Sequence, residues 1–337
     1  MMKILKELKP FVSTLALAAL FAQACMTGIT RPGGPATVVG QDSKAEPPIP
    51  LPNKEGSLKF AVFGDFGTAS QWQYELGAQM MKTHKVFPFE LVLLVGDNLY
   101  GTQRPQDFLN KFEKPYKALL DAKVKFQASL GNHDDPNQRF YEHFNMDGKR
   151  FYSFKGPKQN VRFFALETTY PTPEQFAWLE KELKESTEDW KIVYGHHPIY
   201  SSGGRHGSDV QLRETLEPLL VKYNVSVMFA GHDHFYERIK PQKGIIHFVT
   251  GSGGKLSPGD IDPNSPLTAR GLDTEYAFVV AEIDGDQLTF NTVTRTGLVF
   301  DSGIITRRKA EPEPAKPSPA PKPSPGDSGA SGVGAPR

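Results

Sequence analysis

Several side chains able to hold metal ions follow a glycine at short range. They are Asp65 in Gly64-Asp65-Phe66-Gly67, Asp97 in Gly96-Asp97-Asn98-Leu99-Tyr100, Asn132 in Gly131-Asn132-His133-Asp134, His196 in Gly195-His196-His197-Pro198, and His232 with His234 in Gly231-His232-Asp233-His234. Tyr100 adds a phenol three residues beyond Asp97. A carboxylate at such a position can bridge two ions, and a phenolate is a hard, uncommon ligand that favours Fe(III). Any one cluster is also ordinary turn composition. The joint pattern carries more weight, because the chain supplies matched oxygen and nitrogen donors five times over. Of the nine histidines, six lie in or beside the clusters: His133, His196, His197, His206, His232 and His234. The other three, His84, His143 and His247, are given no role beyond solvated or satisfied side chains. In an extended segment His232 and His234 alternate faces, so each can reach a different ion.

The elements that must position these residues are apolar runs. Strands are expected at 58–63, 90–95, 123–130, 191–194 and 225–230, each ending in one of the clusters. Between them, helices are expected at 70–83, from Pro105 onward, at 136–144, at 173–185 and at 209–223. Strands at 151–154 and 161–166 pair with each other. The remainder, 244–250, 276–283, 287–294 and 298–305, reads as mostly antiparallel, with Asp284-Gly285-Asp286 as a hairpin turn. The alternation gives an α/β class, in which sites form beyond the carboxyl ends of strands. Glycine there lets the chain turn sharply and lets the backbone approach a ligand closely.

In order, GDxG, GDxxY, GNHD, GHxP and GHDH resemble the motifs of the calcineurin-like metallophosphoesterases, over residues 58–250. Tyr100 makes the chain similar to the purple acid phosphatases, and the compact domain to the small tartrate-resistant type. The resemblance implies an α/β/β/α sandwich with one catalytic domain. It implies that Asp65, Tyr100 and His234 hold Fe(III), that Asn132, His196 and His232 hold a divalent Fe(II), Zn or Mn, and that Asp97 bridges the two. Such a centre carries net positive charge and attracts phosphate. The reaction it implies is hydrolysis of phosphomonoesters, with metal-held hydroxide attacking phosphorus. His133 and His206 are the candidates to protonate the leaving alcohol. Asn132, His133, Arg205 and His206 are the candidate substrate contacts, and His197 is expected to pack beside the centre. The alternatives are a Mn or Zn phosphodiesterase on the same scaffold, and a non-enzymatic surface lipoprotein that binds phosphate.

The chain of 337 residues has net charge +1 and 38% hydrophobic residues, a balance that points to a globular protein and not to nucleic acid. Lys3, Lys6 and Lys9 precede an apolar run that ends at Ala22-Gln23-Ala24-Cys25. This resembles a bacterial lipoprotein signal over residues 1–24, with Cys25 as the lipidated residue and the membrane as partner; the rival is a secretory signal cut nearby. Cys25 is the sole cysteine, so no intramolecular disulfide can form. The expected order is a Pro/Gly-rich tether at 25–56, a catalytic domain at 57–307 and a Pro/Ser/Gly-rich tail at 308–337. Export to a bacterial cell envelope follows, with no obligate protein partner.

Overall fold

The structure, a computed structural model, describes residues 38–39 and 47–309. The expected signal segment, Cys25, most of the tether and the tail from residue 310 lie outside the described residues. In chain order the strands are β1 Val38–Val39, β2 Leu58–Phe63, β3 Leu91–Val95, β4 Lys125–Ser129, β5 Tyr152–Lys155, β6 Val161–Ala165 and β7 Trp190–Tyr194. They continue with β8 Val227–Ala230, β9 Tyr236–Ile239, β10 Ile246–Thr250, β11 Thr268–Leu272, β12 Ala277–Asp284, β13 Gln287–Thr294 and β14 Val299–Thr306. The helices are α1 Gln71–Val86, α2 Pro105–Phe108, α3 Lys114–Asp121, α4 Pro173–Glu185 and α5 Val210–Lys222.

Two mixed sheets result, one ordered β14-β13-β12-β2-β3-β4 and the other β1-β11-β9-β10-β8-β7-β6-β5. Side-chain alternation explains their stacking. In β6, Val161, Phe163 and Ala165 join the core between the sheets, while Phe164 joins a second core with Leu179 and Leu183 of α4 and Leu212, Leu216 and Leu220 of α5. β7 divides the same way, with Ile192 and Tyr194 inward and Val193 outward. The sheets meet through aromatic rings: Phe60 of β2 lies edge-on to Phe163 at 5.5 Å and to Phe229 of β8 at 6.3 Å. Burying each such ring contributes about 1.5–3 kcal/mol. Leu76 and Met80 of α1 and Tyr116 and Leu119 of α3 join this central core, so helices cover the outer face of the β2–β3–β4 region too. This is the α/β/β/α sandwich expected from the motifs. Helix starts are set by caps: Ser70, Thr172 and Asp209 accept hydrogen bonds from the amides of Gln73, Gln175 and Leu212.

Three expectations need correction. β9 and β11 were not anticipated; their polar residues, Glu237 and Arg238 in one and Arg270 in the other, hide a strand pattern. β10 runs parallel to β8 and antiparallel to β9, so it belongs to the parallel core of its sheet. Residues 136–144 form two short 3-10 turns, Pro136–Phe140 and Glu142–Phe144, in place of one helix. The end of the expected tether, residues 47–56, has no regular secondary structure but is held to the sheet. The Ile49 amide donates to Ser302 Oγ at 2.9 Å, and the amides of Asn53 and Lys54 donate to the Glu282 carboxylate at 2.6 Å each.

Candidate metal centre

The carboxyl ends of β2, β3 and β4 in one sheet and of β7 and β8 in the other converge. Backbone bonds tie them: the Asp65 amide donates to Gly96 O at 3.0 Å, and the Gly231 amide to His196 O at 2.9 Å. Glycine is required here for space. A Cβ on Gly131 would fall 2.3 Å from Asp97 Oδ1, and one on Gly231 would fall 2.3 Å from Asp65 Oδ2. The left-handed backbone is instead adopted by candidate ligands: Asp65, Asp97 and His232 have φ of 57°, 50° and 71°. Asp and His enter this region more readily than most residues, and such strain concentrates at functional sites.

Two groups of donors form. In the first, Tyr100 Oη is 3.1 Å from Asp65 Oδ1 and 3.2 Å from His234 Nε2. Asp65 Oδ2 accepts the His232 amide at 3.0 Å. In the second, His196 Nε2 is 3.0 Å from Asn132 Oδ1 and 3.2 Å from His232 Nδ1. Asp97 stands between the groups. Its Oδ1 lies 3.4 Å from His196 Nε2 and accepts the His133 amide at 2.9 Å, while Asp65, Asp97 and His234 bring ligand atoms within 4.8 Å of one another.

The second group tests directly whether cations fit. His196 Nδ1 lies 3.0 Å from the Val95 carbonyl, which can only accept, so the proton sits on Nδ1 and Nε2 carries a lone pair. That lone pair faces Asn132 Oδ1 at 3.0 Å, an amide oxygen with no proton to give, and Asp97 Oδ1 at 3.4 Å. Converging lone pairs without a proton are the arrangement that a cation satisfies. The electrostatics agree. Burial holds the imidazole of His196 well below its usual pKa, pushes His232 down to about 2 with its neighbouring histidines adding to the effect, and pushes His234 down to about 4 with Lys255 adding to it. Neutral imidazoles are the ligating form. Burial, then the charge of Asp97, raises Asp65, and burial, then Asp65, raises the Tyr100 phenol. A bound cation reverses both trends.

Around this centre the exposed residues form a rim. The His133 ring lies 4.9 Å from that of Tyr100, above the first group, and the exposed His206 ring lies 4.3 Å from that of His232, above the second. Arg205 is exposed beside His206. A cleft of about 340 Å³ is bounded by His197, Pro198, Arg205, His206, Asp209 and His232. His197 is closer to the centre than expected, with a ring nitrogen within 4.8 Å of those of His196 and His232, while Thr168 Oγ1 engages its Nδ1 at 3.0 Å. A larger cleft of about 430 Å³, bordered by Arg150, Phe151, Trp178 and Glu182, contains none of the expected site residues.

Sequence reasoning missed the residues that hold the ligands in place. Asp134 accepts the amides of Asn98, Leu99 and Gly131 at 3.0, 3.0 and 2.9 Å, locking the loop after β3 to the loop after β4. Thr168 Oγ1 accepts the amides of His196 and His197 at 3.1 and 2.9 Å. Asp134 lay within a quoted motif and could have been singled out; Thr168 has no local signal. Lys255 was also missed as an individual residue; its Nζ stands 3.8 Å from the centroid of the Tyr100 ring.

Known proteins resemble this chain in sequence and in fold. The chain is 27% identical over 288 residues to human tartrate-resistant acid phosphatase type 5, covering 72% of this chain and 88% of the relative. It is 29% identical over 244 residues to purple acid phosphatase 17 of Arabidopsis thaliana, covering 62% of this chain and 72% of the relative. Among solved structures, the fold matches GAP50, the anchor in the inner membrane complex of Plasmodium, with a TM-score of 0.65 at 22% identity, covering 75% of this chain and 90% of the other. It also matches a purple acid phosphatase from yellow lupin seeds with a TM-score of 0.61 at 21% identity, covering 77% of this chain and 55% of the other. The calcineurin-like phosphoesterase family matches residues 58–236, from the first buried strand to the residue that opens β9. That span is more than half of the chain and contains every strand end that converges on the donors, so the chain belongs to the calcineurin-like phosphoesterases, hydrolases that act on phosphoric esters.

Proposed function

We infer that the protein is a binuclear acid phosphatase acting on phosphomonoesters. The observation that carries this reading is the pair of donor groups sharing Asp97, one rich in anionic oxygen with a phenol and the other rich in neutral nitrogen. Asp65, Tyr100 and His234 would hold Fe(III), and Asn132, His196 and His232 would hold Fe(II), Zn or Mn, with Asp97 shared. When bound, the two ions supply Lewis acidity toward phosphoryl oxygens and make a water molecule acidic enough to act as a nucleophile. The protein's own groups do the rest. Val95 and Thr168 fix His196, and Asp134 fixes the loops that carry Asp97 and Asn132. His206 and His133 are placed to pass a proton to the leaving oxygen, and Arg205 is placed to pair with an anionic group of the substrate. The human and Arabidopsis relatives named as acid phosphatases support the substrate class.

The same proposal places the enzyme outside the cytoplasm, tethered through lipidated Cys25. Its support is the order of lysines, apolar run and lone cysteine in the sequence. A Cys25→Ser variant is expected to move from the membrane fraction to the soluble one; equal membrane retention overturns the anchor.

For the chemistry, the purified protein is expected to contain two metal ions per chain with iron among them, and to show a visible phenolate-to-iron band that Tyr100→Phe abolishes. It is expected to favour an aryl phosphomonoester over the matching diester in acid buffer. Full metal loading without colour overturns the iron assignment, and a strong diester preference overturns the monoesterase reading.

A further inference from the structure

Two loops frame the open side of the centre. One, residues 201–208, carries Arg205 and His206. The other, residues 251–262, follows β10 and carries Lys255. Backbone bonds knit them together: the Gly204 amide donates to Asp260 O at 2.8 Å, the Asp262 amide donates to Ser202 O at 3.1 Å, and Gly203 bridges to Ile261. Buried carboxylates anchor the first loop from below. Glu237 of β9 accepts the Ser202 amide at 3.0 Å and its hydroxyl at 2.6 Å, and Asp233 accepts the Ser201 hydroxyl. The second loop is pressed against the end of β2, where a Cβ on Gly254 would fall 2.2 Å from Phe66 O. The rim is therefore one preorganised block.

This block presents two cations and leaves both without an acidic partner. Neither the exposed Arg205 nor the half-buried Lys255 forms an ion pair among the described residues, whereas Arg150 pairs with Glu167 and Arg238 with Asp301. Lys255 Nζ rests instead on the face of the Tyr100 ring. Of the acids nearby, Asp209 caps α5 and Asp233 lies beneath Gly203 and binds the Ser201 hydroxyl, while Asp260, beside Gly204, forms no ion pair and has a buried Oδ2 without a hydrogen-bond partner among the described residues. Arg205 adjoins His206 on the exposed side, where the alcohol portion of a substrate would leave.

We propose that this rim recognises a second anionic group on the alcohol portion of the substrate. The substrate class is then phosphomonoesters whose alcohol carries a carboxylate or another phosphate. The proposal rests on the phosphatase reading and names the substrates of that same site. Because the loops that carry the cations are held before binding, an incoming anion meets a smaller reorganisation cost, and its attraction weakens with salt.

The test compares 3-phosphoglycerate with glycerol 3-phosphate, which differ by a carboxylate in place of a hydroxymethyl group. The metal-loaded wild-type enzyme is expected to favour the acid in kcat/KM by about tenfold or more at low ionic strength, with the ratio falling as salt rises. Lys255→Gln is expected to bring the ratio near one, and Lys255→Arg to keep it. A wild-type ratio at or below one overturns the proposal, as does a ratio unchanged in both Lys255→Gln and Arg205→Gln. Calorimetric binding of 3-phosphonopropionate against ethylphosphonate separates this inference from the phosphatase reading. If neither ester is hydrolysed, the phosphatase reading falls; tighter binding of the phosphonocarboxylate, lost in Lys255→Gln, still supports the rim, and equal binding removes it.

Discussion

His206 and His133 reach the centre from opposite groups of donors, and that geometry gives them distinguishable chemistry. His206 lies on the His232 side and borders the cleft that can receive an alcohol, whereas the His133 ring lies tilted beside that of Tyr100 and its amide holds Asp97. A proton donor matters most when the leaving oxygen is basic. His206→Ala is therefore expected to lower kcat/KM for an alkyl phosphate by about 100-fold, and for p-nitrophenyl phosphate by less than about tenfold. A plot of rate against leaving-group pKa should steepen in this variant and stay parallel to wild type in His133→Ala. The reverse pattern exchanges the two roles, and parallel lines in both remove proton donation from each. The candidate donors that the structure brings together were legible in the sequence at this scale, because a residue after a strand needs no distant information. The second position of His197 was not, because only the fold shows that its ring turns toward His232.

Between residue and fold, the loops act as units because carboxylates hold them from beneath. Asp134 joins the loop after β3 to the loop after β4 through three amides, so Asp97 and Asn132 are positioned together. Asp134→Ala leaves those amides without their acceptor and is expected to weaken metal affinity by about 10–100-fold. Metal titration of the stripped protein, followed by tryptophan fluorescence or calorimetry, reads this independently of turnover. Unchanged affinity would show that the backbone bonds between the loops suffice. The strands that carry the centre were legible because β2, β3 and β8 are buried on both faces, β3 and β8 reading as unbroken apolar runs and β2 as one interrupted only by Lys59. β9 was not, because its buried Glu237 satisfies hydroxyl groups of Ser202 and Thr268 that are far away in sequence. The knitting of the two rim loops is likewise a property of long-range backbone bonds, which leave no periodicity to find.

For the whole molecule the question is how a fold with buried neutral histidines behaves in the acid conditions its proposed activity implies. His247 of β10 is the cleanest case, since it lies outside the metal centre. It is 3% exposed, its Nε2 has no hydrogen-bond partner among the described residues, and its ring lies 5.0 Å from that of Tyr200. Burial pushes its pKa down to about 3, and the opposing charge of Glu217 on α5, itself bonded to Tyr200 and Lys243, does not restore it. The folded value is below the unfolded value of about 6.5. The unfolded chain thus takes up the proton first, and the contribution of His247 is fully present above about pH 6.5 and is lost as pH falls toward the folded value. The slope is at most about 1.4 kcal/mol per pH unit. Glu188, held down to about 2 despite its burial by Lys155 and Ser186, has the same sign but acts below its usual range near 4.5, so the two windows separate. Urea unfolding of metal-loaded protein at pH 7 and pH 5 is expected to show a smaller loss of stability in His247→Phe than in wild type. The histidines of the centre are common to both proteins and cancel in the comparison. Phe keeps an aromatic ring against Tyr200 and buries no unpaired nitrogen, so this variant retains the packing while removing the proton site. Equal losses in the two proteins would show that His247 accepts a proton without cost in the folded state, and the acid sensitivity of the fold would then have to arise from other groups, such as the histidines of the centre or His84, whose pKa burial also lowers.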